Sequence, residues 1–318
     1  MTELVEFDAV LAARQAIAGR LHYTPVFSSE VLGRRIGARL LLKAECLQKT
    51  GSFKPRGVLN RLRLLSAEEK ARGLITVSAG NHAQALAWGA RQVGAACTVV
   101  MPANASRSKA AAAESYGATV ILHGAMAETF AKMEQLRLER NLTLVHPFDD
   151  PLIIAGQGTV GVEIVEQVPD VTKVVVPVGG GGLISGIALA VKQLRPTVKV
   201  YGVEPEGAAS MFQSRAAGRA VRLDKIETIA DGLSAPYTSE LTYAMAQEYV
   251  DDVVALADEQ IVEAVRLVLT HCKLLAEPGG AAGVAALLCG KIPLAPGDTV
   301  VAVLSGGNFD LDRLKAIL

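Results

Sequence analysis

The chain has 318 residues, 32 Lys and Arg against 32 Asp and Glu, no formal net charge, and a hydrophobic fraction of 50%. That balance leaves no electrostatic footprint for nucleic acid or an anionic membrane, and the length supports two lobes or one large α/β domain with an ample core. The apolar runs are too short to span a bilayer, the first residues lack the pattern of a signal peptide, and Cys46, Cys97, Cys272 and Cys289 show neither metal nor C-x-x-C spacing, which points to reduced thiols in the cytoplasm.

Residues 6–18 carry Phe7, Val10, Leu11, Ile17 and Ala18 on one side of a helical period, closed by Gly19. Thr24-Pro25-Val26 reads as extended, and Val31, Leu32 and Ile36 mark a short helix ending at Gly37. A strand from about residue 39 runs through 40–45 towards Gly51-Ser52-Phe53-Lys54-Pro55-Arg56-Gly57. This stretch opens a helix with Val58, Leu59, Leu62 and Leu65 at helical spacing, Ser52 as its expected N-cap and Pro55 in its first turn. Lys54 thus falls at the positive end of a helix, which disfavours an ammonium and favours a neutral amine, the form that condenses with a carbonyl. A solvated surface lysine is the commoner meaning of such a position, so other stretches must carry the reading.

Strands at 74–77, 97–101 and 119–122 then alternate with helices at 83–93, 106–116 and 125–140. The rhythm pauses at 146–151, the expected crossing between lobes. It resumes with a helix (152–168), a strand (173–178), a helix (183–195) and a strand (198–203). A less regular stretch covers 205–250. A strand (253–256), helices at 258–274 and 280–289, a strand (299–304), a glycine turn and a last short helix follow. Mostly apolar strands separated by helices imply parallel sheets covered on both faces. The expected fold is α/β, with two lobes, each an open and mostly parallel sheet, and a cleft between them. Residues 1–50 and 148–318 are assigned to a large cofactor-binding domain and 51–147 to a small one.

Ligands of such sheets bind at the carboxyl ends of strands, and four of those ends carry unusual loops. One precedes Lys54. Another is Ser78-Ala79-Gly80-Asn81-His82, whose small polar residues and free amides suit a carboxylate, although an ordinary capped helix reads the same way. The third is Gly179-Gly180-Gly181-Gly182 followed by Leu183, which can curl successive N–H groups around a phosphate. It fits neither the dinucleotide G-x-G-x-x-G pattern nor the NTPase loop. The fourth is Ser305-Gly306-Gly307-Asn308, a tight turn or a place for a hydroxyl facing a ligand atom. A phosphate, an aldehyde for lysine and a ring atom needing a partner together suggest pyridoxal 5'-phosphate.

SFKPRG, SAGNHAQ, the tetraglycine loop and SGGN, in this order, resemble the pyridoxal-phosphate enzymes of fold type II, the tryptophan synthase β-like fold. The nearest resemblance is to the serine/threonine dehydratase (threonine ammonia-lyase) and serine racemase group, and it runs from Thr24-Pro25 to Asn308. It implies that Lys54 holds the cofactor as a Schiff base and removes the substrate Cα proton. Phe53 would pack beside the ring, and Asn81 would hydrogen-bond the ring hydroxyl oxygen. Gly179, Gly180, Gly181, Gly182 and Leu183 would bind the phosphate through backbone N–H groups, and Ser305 would meet the pyridine nitrogen. Ser78, Asn81 and His82 would line the substrate carboxylate site. Glu277, in Ala276-Glu277-Pro278-Gly279-Gly280, matches a further motif near the cofactor without an assigned role.

Three departures are informative. Racemases of the group place a second serine where this chain has Ala79. Some members bind a divalent cation through a Glu, a carbonyl and an Asp; here Glu204 and Ala208 are followed by Ser210, which argues against a cation unless water completes the site. The chain stops at Leu318, so the C-terminal regulatory domain of long threonine dehydratases is not expected. The implied function is deamination of L-threonine or L-serine by β-elimination of water, in a cytoplasmic homo-oligomer whose partner is a small amino acid. Serine or 3-hydroxyaspartate racemase/dehydratase, β-replacement, and a non-catalytic nucleotide-binding or regulatory protein stay open as alternatives.

Overall fold

The apolar runs pair into two sheets in this computed structural model, which describes residues 2–318. In chain order the strands are β1 (Val26–Ser28), β2 (Arg39–Lys43), β3 (Leu74–Val77), β4 (Cys97–Met101), β5 (Thr119–Leu122), β6 (Thr143–Leu144), β7 (Lys173–Pro177), β8 (Lys199–Pro205), β9 (Asp252–Leu256) and β10 (Thr299–Val303). The larger sheet has the order β1-β2-β10-β7-β8-β9 and the smaller one β5-β4-β3-β6. Only β1 is antiparallel to its neighbour.

At the centre of the larger sheet Val301 stands level with Leu41 on one side and Val174 on the other. Every residue of β10 is buried, because helices cover both faces and leave no polar side for alternation to mark. The pleat still sorts the side chains. Val174 and Val176 join a core with Ile184 and Ile187, while Val175 joins a second core with Ala281 and Ala285 on the opposite face. The smaller sheet is clad in the same way, with Leu74 and Val99 facing Leu86, and Ile75 and Val100 facing Met133.

Close helix contacts decide where the functional loops point. A Cβ on Gly186 would lie 2.3 Å from the Ile154 carbonyl oxygen, so the helices Gly182–Leu194 and Pro151–Gln167 approach almost backbone to backbone. A Cβ on Gly156 would lie 2.5 Å from Gly57 Cα, so the helix Pro55–Leu62, which follows Lys54, docks on the same long helix. Pro151–Gln167 is thus the common floor beneath the lysine and the tetraglycine turn.

Several local expectations are corrected. Ser52 does not cap the lysine helix: it is extended (φ −163°) and forms an antiparallel bridge with Gly306, and Lys54 itself is the N-cap, with helical angles and no side-chain cap. The backbone at Ser52 is held by the turn after β10, which leaves its side chain no helix end to reach. β2 ends at Lys43, and 3-10 turns follow, with Thr50 at φ 61°. The stretch 205–250 contains two helices, Ser210–Ala217 and Glu240–Tyr249, the latter capped by Ser239. The expected helix 258–274 stops at Leu267 and passes into a π turn, Val268–Cys272. Among the described residues no helix is long and apolar enough to cross a membrane.

Candidate active site

Strand order fixes the location of the site. β7 pairs with β8 on one edge and with β10 on the other, so the chain reverses its direction of winding between β7 and β10 and leaves a crevice at their carboxyl ends. The tetraglycine turn follows β7 and Ser305 follows β10. The lysine loop follows β2, next to β10, and the loop 78–80 follows β3 of the smaller sheet. One cavity is lined by Phe53, Lys54, Asn81, the four glycines 179–182, Leu183, Glu277 and Ser305. A second, of about 210 Å³, opens from the same lysine and is lined by Ser78, Ala79, Gly80, Asn81 and His82.

Lys54 is partly buried, and its Nζ donates to the Pro147 carbonyl oxygen at 2.8 Å. Desolvation lowers its pKa to about 8, against an opposing pull from the Glu277 carboxylate. The Phe53 ring centroid lies 5.0 Å from the amine. Behind the lysine, Arg56 is 1% exposed and forks onto two carboxylates: Nε and Nη2 donate to Glu45 at 2.8 Å each, and Nη1 and Nη2 to Glu163 at 2.5 and 2.9 Å. Lys43 completes the group by donating to Glu163 at 2.6 Å. These buried charges tie the end of β2, the lysine helix and Pro151–Gln167 into one unit.

The tetraglycine turn has the shape of an anion cup. Gly181 has φ +89°, a Cβ on Gly180 would lie 2.3 Å from the Phe148 ring, and the first N–H groups of the helix Gly182–Leu194 have no intrahelical acceptor. The donor set fits a phosphate monoester. It fits the remainder of pyridoxal phosphate as well, since the amine, an aromatic side chain and the Ser305 residue stand around the adjoining space.

Asn81 is held by two partners. Its Oδ1 accepts from Asn308 Nδ2 at 2.7 Å, and its Nδ2 donates to Glu277 Oε1 at 2.5 Å, which leaves one N–H for a ligand. Burial pushes Glu277 up to about 7. Glu277, without a role in the sequence, therefore orients Asn81 and faces Lys54 electrostatically. Ser305 is buried, and its carbonyl accepts from the Phe53 N–H at 3.1 Å.

Ser78 Oγ accepts from Gly80 N at 3.2 Å, tightening the turn into the helix Asn81–Gln92. His82 is buried, its Nε2 sits 3.0 Å from the Val145 carbonyl and must donate to it, and its Nδ1 has no protein partner. Desolvation lowers its pKa to about 3, so the ring is neutral and brings no positive charge to a carboxylate. The backbone amides that open this helix remain as donors.

Two of the three residues considered for a cation, Glu204 and Ser210, have protein partners. Glu204 accepts from the N–H groups of Met211 and Phe212 at 2.9 and 2.7 Å, and Ser210 Oγ accepts from Thr238 at 3.0 Å. This carboxylate caps the helix Ser210–Ala217. Sequence reasoning missed Lys109, Asp231, Pro147 and Phe148, all of which line the larger cavity. No motif marks Lys109; its partner Asp231, at 2.6 Å, is 122 residues away.

The sequence pattern of the pyridoxal-phosphate dependent enzyme family matches residues 17–306. An L-threonine ammonia-lyase of Thermotoga maritima is 42% identical over 99% of this chain and 78% of that protein. An L-threo-3-hydroxyaspartate ammonia-lyase of Saccharomyces cerevisiae is 38% identical over 98% of this chain and 96% of its own length. The structure of maize serine racemase superposes with a TM-score of 0.94, at 38% identity, covering 99% of this chain and 97% of that one.

Proposed function

The chain belongs to the pyridoxal-phosphate dependent enzyme family, and on that premise we propose that it deaminates L-threonine and L-serine: the β-hydroxyl leaves as water, one water is taken up again as the resulting imine hydrolyses, and the net products are ammonia with 2-oxobutyrate or pyruvate. Its cofactor is pyridoxal 5'-phosphate, which when bound spreads the negative charge that develops at the substrate Cα. The observation that carries the reading is the placement of one desolvated amine, Lys54, between the glycine cup and the amide-rich turn 78–82.

The residues divide the work as follows. With a pKa of about 8, roughly a tenth of the Lys54 amine is neutral at pH 7 and free to bond or to take a proton. The amides of Gly179–Gly182 and Leu183 hold the phosphate. Asn81, fixed by Glu277 and Asn308, would give its spare N–H to the ring hydroxyl oxygen. Ser305, on the wall of the same cavity, would face the ring nitrogen as a neutral partner. The turn Ser78–His82 takes the substrate carboxylate and presents the Cα proton to Lys54. The same proposal keeps 1–50 with 148–318 as the large unit and 51–147 as the small one. It also places the enzyme in the cytoplasm as a homo-oligomer; the four free cysteines suit a reducing compartment.

Release of 2-oxo acid from L-threonine, L-serine, D-serine and L-threo-3-hydroxyaspartate tests the reading. Stoichiometric 2-oxo acid and ammonia from L-threonine is the expected result, and no release from any of the four would defeat it. The likeness to maize serine racemase favours a second reading, racemisation. It requires a proton donor on the face opposite Lys54, and the Ala79 methyl supplies none.

A further inference from the structure

Relatives of nearly equal identity are named for threonine and for 3-hydroxyaspartate. The two substrates differ in what stands on the β-carbon beside the hydroxyl, a methyl or a carboxylate, and the wall of the 210 Å³ cavity bears on that difference. Away from the turn 78–82, Met126, Phe130, Ala235 and Pro236 give the wall an apolar stretch, beside Ser234, whose Oγ donates to the Ala230 carbonyl oxygen at 3.5 Å. None of the four apolar side chains carries a hydrogen-bond donor. The cations that reach the cavity are Lys54, whose amine the reaction uses, and Lys109. Lys109 Nζ already donates to Asp231 at 2.6 Å, and Asp231 also accepts from Arg313 at 2.9 Å. The remaining charged groups on the wall, Asp231 and Glu277, are acids.

We propose that Met126, Phe130, Ala235 and Pro236 determine specificity: they receive a small apolar β-substituent and leave an acidic one without a counter-charge. This rests on the ammonia-lyase reading above. A β-carboxylate here would give up its water for an apolar surface on which the one cation other than Lys54, Lys109, is already engaged by Asp231, whereas a methyl would gain contact. Discrimination is asymmetric. A methyl in an apolar pocket is worth about ten-fold in kcat/KM, an apolar pocket rejects a neutral polar group by about a hundred-fold, and an unpaired carboxylate is rejected at least as strongly because it is charged.

Two unreactive probes read the wall apart from turnover. L-2-Aminobutyrate is threonine without its hydroxyl, and L-aspartate replaces its methyl by a carboxylate; neither offers the β-hydroxyl to eliminate. On the holoenzyme, binding is followed by the change in the visible spectrum and by competitive inhibition. The expected result is that L-2-aminobutyrate binds at least a hundred-fold more tightly than L-aspartate, with kcat/KM for L-threonine about ten-fold above L-serine. Met126→Arg places a fork for a carboxylate on the wall, at a residue 37% exposed where folding is not at stake. It should raise L-aspartate affinity about ten-fold and lower that of L-2-aminobutyrate. L-Aspartate binding as tightly as L-2-aminobutyrate to the unaltered enzyme, or fast release of 2-oxo acid from L-threo-3-hydroxyaspartate, overturns the specificity proposal and leaves the ammonia-lyase reading standing. Absence of 2-oxo acid from every substrate overturns that reading, while the two probes still test the wall.

Discussion

At the scale of single residues the decisive property is the proton on Lys54. Burial lowers its pKa from the ordinary lysine value to about 8, and the Glu277 carboxylate pulls the other way. A lowered lysine pKa means that the unfolded chain binds more protons, so this group costs the cofactor-free protein stability at neutral pH and the cost fades as pH rises from about 8 towards the unfolded value. The neutral fraction follows the same titration. The rate of recombination of cofactor with cofactor-free protein should therefore rise about ten-fold per pH unit up to about pH 8 and flatten above it. Glu277→Gln removes the group that raises the lysine, so the break should move to lower pH in a stopped-flow pH series; an unmoved break would separate Glu277 from Lys54. Ala79 sets a second expectation. Ala79→Ser puts a hydroxyl on the wall of the cavity that Lys54 also lines, where racemases of the group carry a second serine, and should bring detectable D-serine from L-serine by chiral chromatography, against none from the wild type. Efficient D-serine formation by the wild type would contradict this role for Ala79.

At the scale of elements, the site depends on two helix starts and the close packing that aims them. The turn before Gly182–Leu194 tolerates no side chain: Gly181 has φ +89°, and a Cβ there would lie 2.8 Å from Thr242 Cβ. Gly181→Asp adds both this clash and a negative charge to the anion cup. It should lower cofactor affinity by about a hundred-fold or more, some 2.7 kcal/mol, measured as absorbance retained after dialysis; full retention would remove the phosphate from this loop. Much of this was legible in the sequence. β7 and β10 show as unbroken apolar runs bounded by glycine because both of their faces are covered, and the turns that follow them carry their chemistry in consecutive residues. The helices Ser210–Ala217 and Glu240–Tyr249 were not legible, since short amphipathic segments among polar turns give little periodic signal. Ser52 misled because an N-cap residue type before a proline looks the same whether its backbone starts a helix or bridges Gly306.

At the scale of the whole molecule, contacts distant in sequence join the lysine loop to both sheets, and these are what a linear reading cannot supply. Asn81 meets Glu277 across 196 residues, and Arg56 meets Glu163 across 107. The Lys43, Glu45, Arg56 and Glu163 group is neutral in sum and nearly sealed from water, so its gain over apolar packing is small, while removal of one member leaves the others uncompensated. Arg56→Ala should cost about 3–5 kcal/mol in urea unfolding, and Arg56→Ala with Glu45→Gln, which leaves Lys43 balanced by Glu163, should recover part of it; a loss below about 1 kcal/mol would show that water reaches the group. The central claim is that one amine among the lysines of this chain carries the cofactor. Borohydride reduction of the holoenzyme followed by peptide mass spectrometry tests it most directly: the expected result is a single phosphopyridoxyl group on Lys54, and a label on another lysine, or none, would contradict it.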